Sequence, residues 1–355
     1  MRSVAVRRIA VAVAGLGVAL AAAFPSNAGA MGQVHCAGAQ ASTSGTGQGR
    51  SVGNLRIDPI GERGVAKSRH MHQFFGSTAV MTMATPEVAS YANLIGTPTS
   101  CDLPADSALY WIPLLTRAGV PVPLKRMEAY YLGPNGELTD PSMTTQAFPD
   151  DLRLVAGNAM ATSRRSMDLK HVYWDCGAFS TKSAYDGHWA TPAAANCATA
   201  RPLPGGKVVL TLAVTFPSCW DGRLNDHTTS GDTADFNGNP MAATVQHLAY
   251  PTALGCPAAF PIKLVTLRQN VSWDYRGNGK NVWLSSGPGY TAHADFLNSW
   301  TDPGLSDIVR YCVNTTMTEE EMHALYPEIC GPPIPCPTRC TRARPSTADW
   351  LTRLK

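Results

Sequence analysis

The sequence predicts a mainly β protein: a single antiparallel β-sandwich or jelly-roll-like domain, stapled by disulfides, with a few short helices near the C-terminus. Short apolar runs rich in β-branched and aromatic residues recur along the chain, and turn residues interrupt them, with 27 Pro and 31 Gly in 355 residues. Many short strands separated by frequent turn signals are typical of all-β sandwiches. The even number of cysteines, ten, adds the expectation of disulfide bonds.

The clearest strand signals are stretches in which apolar and polar residues alternate. Residues 207–216 (KVVLTLAVTF) and 261–273 (PIKLVTLRQNVSW) alternate well enough to form half-buried strands. Residues 107–115, 151–156 and 171–176 are also predicted as strands. Helix is expected late in the chain, over residues 305–313 and after Thr318, where Glu321 completes a capping box.

The N-terminus has the features of a secretory signal peptide. Arg2, Arg7 and Arg8 precede an apolar run over residues 9–23, and small residues follow at 26–30 in the pattern of a cleavage site. We therefore expect residues 1–30 to be a leader and the protein to be secreted. The apolar run is shorter than a membrane span, and no later segment qualifies as one.

Removing the leader changes the charge balance. The whole chain has 29 basic and 26 acidic residues, and the leader takes three arginines, which leaves 26 of each. A neutral mature protein has no electrostatic attraction for nucleic acid or for an anionic membrane surface. Nucleic acid is therefore excluded as the expected partner.

All the cysteines lie after the leader, and none forms a C-x-x-C pair, so disulfides are expected rather than a cysteine-rich zinc site. Proximity in the sequence suggests four local pairs: Cys176–Cys197, Cys219–Cys256, Cys312–Cys330 and Cys336–Cys340.

Two histidine motifs are candidates for chemistry. His70 and His72 are two residues apart, which on a strand places both imidazoles on one face. They could be metal ligands, a base with an orienting partner, or hydrogen-bonding groups for a sugar, or one could simply be a buried core histidine. His293 and Asp295 have the same spacing after a tight turn at 286–289, although Asp295 could instead cap a helical turn.

A third candidate motif surrounds Asp221, which follows Cys219 and Trp220. A carboxylate held beside an indole could serve as a general acid or base, because desolvation raises its pKa, or it could form a structural Asx-turn. His247 precedes Tyr250 and adds another histidine beside a tyrosine. The sequence has no G-x-S-x-G, H-E-x-x-H, P-loop or convincing dinucleotide motif, which argues against common serine esterases, zincins and nucleotide enzymes.

Six motifs in a fixed order resemble one known family. They are SRHMHQFFG (68–76), ALYWIPLL (108–115), FPDDLRLVAGN (148–158), FPSCWDG (216–222), HLAYP (247–251) and GYTAHADFLNSW (289–300). Together they resemble DUF1996, a family of secreted fungal and actinobacterial domains, over roughly residues 55–312. The resemblance implies a secreted domain, often found in fungi beside cell-wall-facing modules, and no particular reaction. In the fungal pattern a short D-H-K-S-H-x-A-Y-P segment follows S-C-W-D-G, whereas in this chain a polar stretch separates Asp226 and His227 from His247. Either the loop carries an insertion, or one of the two histidines lacks its role in the family.

These observations divide the chain into a leader (1–30), a Gly/Ser/Ala-rich linker (31–52), a DUF1996-like β domain (53–312) and a Cys/Pro-rich C-terminal extension (313–355). The leading functional hypothesis is an extracellular enzyme that acts on a cell-wall or other polysaccharide. Its candidate catalytic residues are His70, His72, Asp221, His247, His293 and Asp295, and its candidate substrate-binding residues are Trp220, Tyr250 and Tyr290.

Two mechanisms stay open for such an enzyme. A hydrolase would use paired carboxylates, here Asp221 and Asp295. A lyase would use a histidine base and a tyrosine acid, Tyr250 or Tyr290, and the abundance of His and Tyr favours it slightly. A non-catalytic carbohydrate-binding module and a metal-binding secreted protein are the alternatives. The sequence requires no cofactor, although a divalent metal at the histidines is one of the options.

Overall fold

The computed structural model of the chain describes residues 32–37, 51–133, 144–177, 188–200, 208–224 and 247–314. Its strands, in chain order, are β1 (Gly32–Ala37), β2 (Gly53–Leu55), β3 (His72–Gly76), β4 (Leu109–Pro113), β5 (Leu115–Arg117), β6 (Val120–Pro121), β7 (Leu124–Leu132), β8 (Arg153–Gly157), β9 (Val172–Gly177), β10 (Val208–Thr215), β11 (Cys219–Trp220), β12 (Leu248–Ala249), β13 (Ile262–Lys263), β14 (Thr266–Trp273), β15 (Val282–Leu284) and β16 (His293–Leu297). The α-helices are α1 (Tyr91–Leu94), α2 (Pro192–Ala195) and α3 (Gly304–Ile308), which runs into a π-helical turn, Val309–Val313. Short 3-10 turns are Thr78–Met81, Pro86–Val88, Arg164–Ser166 and Gly289–Thr291.

Two five-stranded antiparallel sheets form the body of the protein. The first sheet has the order β1-β7-β14-β10-β9, and the second has the order β2-β3-β4-β16-β8. The described part of the chain also contains two three-stranded sheets, β12-β11-β13 and β15-β5-β6. The predicted mainly β, antiparallel fold is therefore confirmed.

The interior lies between the two large sheets. Phe75, Ile112 and Phe296 of the second sheet belong to the same buried apolar cluster as Leu212 and Val271 of the first. Strand alternation supplies these residues, because every second side chain of a strand points to the same face.

Polar groups also join the two sheets. The hydroxyl groups of Tyr110 on β4 and Tyr131 on β7 lie 2.6 Å apart, and the Trp300 indole donates to the Tyr131 hydroxyl over 2.9 Å. Tyr110 also donates to the buried Asp106 carboxyl over 2.7 Å. This closed network satisfies polar groups that burial would otherwise make costly.

The outer face of the second sheet is covered by the chain between β2 and β4. A second apolar cluster packs Phe74, Trp111 and Leu297 of the sheet against Ile57 and Leu94 of the covering segment. This face is therefore buried as well, and polar side chains that fall on it are removed from water.

The strands expected from alternation are found, with shifted ends. The predicted run 261–273 divides into β13 and β14, and the run 107–115 divides into β4 and the start of β5. The predicted helix at 305–313 is present as α3 and the π-helical turn. The expected helix after Thr318 lies outside the described residues.

One strand lies inside the stretch that was predicted to be a linker. β1 pairs with β7 along the edge of the first sheet, with Val34 and Cys36 buried and Gln33 and His35 half-buried. The alternation in Gln-Val-His-Cys was obscured by the Gly/Ser/Ala-rich residues around it. The division of the chain into domains stays a prediction.

Two of the predicted disulfides are present, Cys176–Cys197 and Cys219–Cys256. A third bond, Cys36–Cys101, ties β1 to the loop before β4, and proximity in the sequence did not suggest it. The pairs predicted with Cys330, Cys336 and Cys340 fall outside the described residues. None of the helices in the described part of the chain has the length and apolar character needed to cross a bilayer.

Candidate functional site

Three histidines converge on the outer face of the second sheet. His70, His72 and His293 each direct a ring nitrogen to one small region, where these atoms all lie within 4.8 Å of one another. The Nε2 atoms of His70 and His293 are 3.1 Å apart. The ring centroids of His70 and His72 are 4.3 Å apart, and those of His72 and His293 are 5.7 Å apart.

The sheet explains why residues so distant in sequence meet. His72 opens β3 and His293 opens β16, and only β4 lies between these two strands. His72 lies on the face of Phe74, and His293 lies on the face of Leu297, which is the covered outer face in both cases. His70 precedes β3 rather than lying in it, so its position depends on the loop and not on strand alternation.

Backbone carbonyls fix the orientation of two of these rings. The Nδ1 atom of His72 is 2.7 Å from the carbonyl oxygen of Ile57, and that of His293 is 2.9 Å from the carbonyl oxygen of Thr291. A carbonyl only accepts, so Nδ1 donates in each ring, and a neutral ring then carries a bare lone pair on Nε2. Metal-binding histidines are commonly oriented in this way through the nitrogen that does not bind the metal.

The Nε2 atom of His72 is buried and has no hydrogen-bond partner among the residues that the structure describes. The whole residue is excluded from solvent. A buried polar atom without a partner costs about 1–3 kcal/mol, so native structures seldom retain one unless it has a role.

Burial also keeps the three histidines uncharged. Desolvation lowers the pKa of His70 to about 4 and that of His293 to about 3. Desolvation lowers the pKa of His72 well below its usual range, and His70 and His293 reinforce the effect. Neutral imidazoles are the form that binds metal ions, so the site needs no deprotonation near neutral pH.

Two buried carboxyl groups accompany the histidines. Asp295 shares the outer face of β16 with His293, and Asp58 follows Ile57, whose carbonyl holds His72. Burial raises the pKa of Asp58 to about 6 and that of Asp295 well above its usual range, where repulsion from Asp58 adds to it. Asp295 lies inside a strand and does not cap a helical turn.

Asp221 and His247 form a separate pair on a different sheet. The Asp221 carboxylate accepts from His247 Nδ1 over 2.8 Å and from Arg223 over 2.7 Å. Burial raises the pKa of Asp221, but hydrogen bonds from His247 and Arg223 outweigh it and leave the pKa below its usual value. The expected raised pKa beside Trp220 is therefore not found. The backbone N–H of Arg223 donates to Asp221 Oδ1, which is the Asx-turn alternative, and the Trp220 indole donates to the Arg223 carbonyl.

Tyr250 and Tyr290, predicted to bind substrate, line one cleft. The Tyr250 hydroxyl donates to the Thr215 carbonyl over 2.8 Å, and burial raises its pKa. This hydroxyl is therefore a poor candidate for the acid of a lyase. The cleft also contains His171, which the sequence marked only as part of a strand.

Two further histidine–carboxylate groups are not predicted from the sequence. His171 Nδ1 lies 2.6 Å from Asp168, three positions earlier, and the D-L-K-H spacing was the only available signal. On the first sheet, His35 Nδ1 lies 2.9 Å from Asp102, and its Nε2 lies 3.6 Å from Glu128. No local spacing connects His35 with Asp102 or Glu128, so only the folded chain reveals this second group.

Comparison with known families decides the identity of the domain. The family described as a domain of unknown function, DUF1996, matches residues 58–300, which is more than half of the chain. The chain belongs to this family. The match contains His70, His72 and His293 within the DUF1996 domain itself. The curated proteins contain no significant match to the chain. The solved structures contain none either.

Proposed function

We propose that this DUF1996 protein is a secreted metal-dependent enzyme acting on an extracellular polysaccharide, with His70, His72 and His293 holding its metal ion. The convergence of three imidazole nitrogens within 4.8 Å of one another carries the proposal. Ligands of a tetrahedral zinc ion bonded at about 2.0–2.1 Å lie about 3.3 Å apart. The 3.1 Å between the Nε2 atoms of His70 and His293 is close to that separation.

The remaining ligand needs only a small adjustment. A ring nitrogen of His72 lies within 4.8 Å of those of the other two histidines, and zinc binding would bring it to about 3.3 Å from them. Binding through Nε2 would also supply the partner that this buried nitrogen lacks among the described residues. Three imidazoles suit Zn²⁺ foremost, and Cu²⁺, Ni²⁺ or Fe²⁺ next.

The exposure of the cluster suits a catalytic rather than a closed structural site. His72 and His293 are buried, whereas His70 is half-buried at the margin of the covering segment. His70, His72 and His293 would hold the ion, and three protein ligands are the usual number in catalytic zinc sites. Such an ion would lower the pKa of a bound water molecule to about 7 and polarise a substrate oxygen.

Two features support export and a neutral extracellular substrate. The predicted leader and the disulfides Cys36–Cys101, Cys176–Cys197 and Cys219–Cys256 suit an oxidising compartment. The balanced charge of the chain without its leader favours a neutral substrate over a polyanion. Asp221 and Asp295 do not form the carboxylate pair that a hydrolase needs, because Asp221 directly follows β11 of a small sheet whereas Asp295 lies on β16 of the second large sheet.

The test compares zinc-loaded and chelator-stripped protein, expressed without its predicted leader, on a panel of plant and microbial wall polysaccharides. Release of reducing ends is measured, with ultraviolet absorbance to detect the unsaturated sugars that a lyase would form. We expect the release of reducing ends to disappear when the metal is removed with a chelator and to return when zinc is added back. The His293→Ala variant should release no reducing ends, whereas the His35→Gln variant, changed on the first sheet, should release them as the wild type does. Release unaffected by stripping would refute the metal-dependent mechanism. Retention on an insoluble glycan without any release would favour the carbohydrate-binding module.

A further inference from the structure

A cleft opens beside the second sheet, where β8 ends and β9 begins. It is lined by Gly157, Asn158, Asp168, His171, Tyr250 and Tyr290 together with apolar side chains. It thus combines aromatic and apolar surface with a few polar groups, which is the usual composition of a small-ligand site.

One wall of the cleft is a rigid Asp–His–Tyr arrangement. The Asp168 carboxylate lies 2.6 Å from His171 Nδ1, and this hydrogen bond lowers the pKa of Asp168. The imidazole stacks on Tyr250, with ring centroids 3.7 Å apart and planes 18° from parallel. The Tyr250 hydroxyl is in turn anchored on the Thr215 carbonyl. His171 Nε2 remains as the ring nitrogen that makes no hydrogen bond within the described part of the chain.

Tyr290 also lines the cleft. It lies in the 3-10 turn Gly289–Thr291, which is held in place because the Trp174 indole donates to the Gly289 carbonyl over 2.9 Å. Tyr290 is half-buried, and its hydroxyl and ring have no hydrogen-bond or stacking partner among the described residues. A fixed turn that presents an unoccupied aromatic ring to a cleft is suited to stacking on a ligand.

The cleft adjoins the three-histidine cluster. Gly157, which lines it, pairs with His293 across the β8–β16 ladder. The turn that follows passes from Asn158 in the cleft to Met160, whose sulfur lies 3.5 Å from Arg69, the neighbour of His70. A chain-like ligand seated in the cleft and extending over this turn would therefore reach the exposed edge of the cluster.

We infer that the cleft is a subsite for one neutral sugar unit of the substrate chain, with Tyr290 against the sugar ring and His171 Nε2 hydrogen-bonded to a hydroxyl. This inference rests on the proposed function for the identity of the substrate, but not for the metal. A sugar supplies an apolar ring face that matches the Tyr290 ring and hydroxyls that can donate to or accept from His171 Nε2. Asp168, the acidic residue among those that line the cleft, is hydrogen-bonded to His171, and the lining residues include no Lys or Arg that would select an acidic ligand.

The test measures binding rather than turnover. Isothermal titration calorimetry uses cellohexaose, laminarihexaose and xylohexaose as neutral probes and hexagalacturonate as an acidic one. We expect a neutral hexasaccharide to bind, and Tyr290→Ala and His171→Gln to weaken its binding by about tenfold or more. Tyr91→Ala, at a tyrosine outside the cleft, is the matched control. Thermal unfolding of each variant shows that it is folded.

The outcomes separate this inference from the metal centre. Metal content unchanged in Tyr290→Ala, together with sugar binding retained in His293→Ala, would support a subsite that is independent of the ion. Equal affinity of Tyr290→Ala and wild type would overturn the inference. Binding of hexagalacturonate alone, or of no hexasaccharide, would overturn it too. A protein that binds sugar through Tyr290 but holds no metal would refute the metal-dependent enzyme and leave the subsite standing.

Discussion

The Nε2 atoms of His70 and His293 lie 3.1 Å apart although 223 positions separate the residues in the sequence. His293 is held by the start of β16, and His70 by the loop that leads into β3. Their approach therefore depends on the order β3-β4-β16 and on the segment that covers this face. A substitution that disturbs the strand packing or the covering segment should weaken metal binding even when the three histidines are unchanged.

Gly157→Ala tests the support given by the neighbouring strand. Gly157 has φ +91° and pairs with His293, and an added Cβ would collide with the Ala292 carbonyl and approach the His293 Cα to 2.7 Å. We expect a loss of about 2 kcal/mol or more in the free energy of unfolding, together with weaker zinc binding. Gly64→Ala is the control, because Gly64 has φ +78° but open space around it. The Gly64→Ala variant should lose only about 1 kcal/mol in the free energy of unfolding, and its zinc affinity should be unchanged. Equal zinc affinity in the two variants would contradict the proposed support.

His35 should make stability depend on pH. Its hydrogen bonds to Asp102 and Glu128 raise its pKa from 6.5 to about 9. Because the folded-state pKa is the higher one, the stabilisation is fully present below pH 6.5 and is lost as the pH rises through about 9. Between pH 6 and pH 10, the free energy of unfolding measured with denaturant should fall more for the wild-type protein than for the His35→Gln variant. Identical losses in the two proteins would show that the pair does not contribute.

Tyr131→Phe tests the polar network between the sheets. It would remove a hydroxyl that lies 2.6 Å from the Tyr110 hydroxyl and accepts from the Trp300 indole. We expect a loss of about 1–3 kcal/mol in the free energy of unfolding, because the buried indole N–H of Trp300 loses its acceptor, whereas Tyr110 keeps its hydrogen bond to Asp106. Tyr91→Phe, outside this network, provides the comparison in the same denaturation experiment. A loss no greater than that of Tyr91→Phe would count against the network.

Zinc should stabilise the folded protein through the three histidines. A ligand that binds only the folded state at 100 times its Kd adds about 2.7 kcal/mol to the free energy of unfolding. The melting temperature of wild type should therefore rise with added Zn²⁺, whereas that of His72→Ala should not. Replacing one of the three histidines should weaken zinc binding more than about 100-fold, since mutating even the residues that only hydrogen-bond to metal-binding side chains changes metal affinity by roughly 10–100-fold. An equal rise in the melting temperature of the His72→Ala variant would show that the zinc binds at another site.

The sequence predicted the fold class well because alternation and turn residues are local signals. The runs that became β9, β10 and β14 could be read directly from their β-branched and aromatic residues. Two disulfides followed from proximity in the chain. Cys36–Cys101 did not, because it depends on β1 lying at the edge of the first sheet.

The candidate site could be predicted only in part. The spacing of His70 and His72 marked one motif, and that of His293 and Asp295 marked another. Their meeting depends on the strand order, which no local pattern reveals. Asp221 and His247 were grouped with them from residue type alone, and the fold places them on a separate sheet. The pair of Asp168 and His171 was missed because its three-residue spacing is common in turns.

The most direct test of the metal centre is the metal content of the purified protein after incubation with Zn²⁺ and removal of free ions. Plasma mass spectrometry should find about one zinc per chain in wild type and in His35→Gln, and less than about a tenth of that in a variant with His70, His72 and His293 all changed to Ala. The same zinc content in the triple variant, or no zinc in folded wild type, would contradict the account.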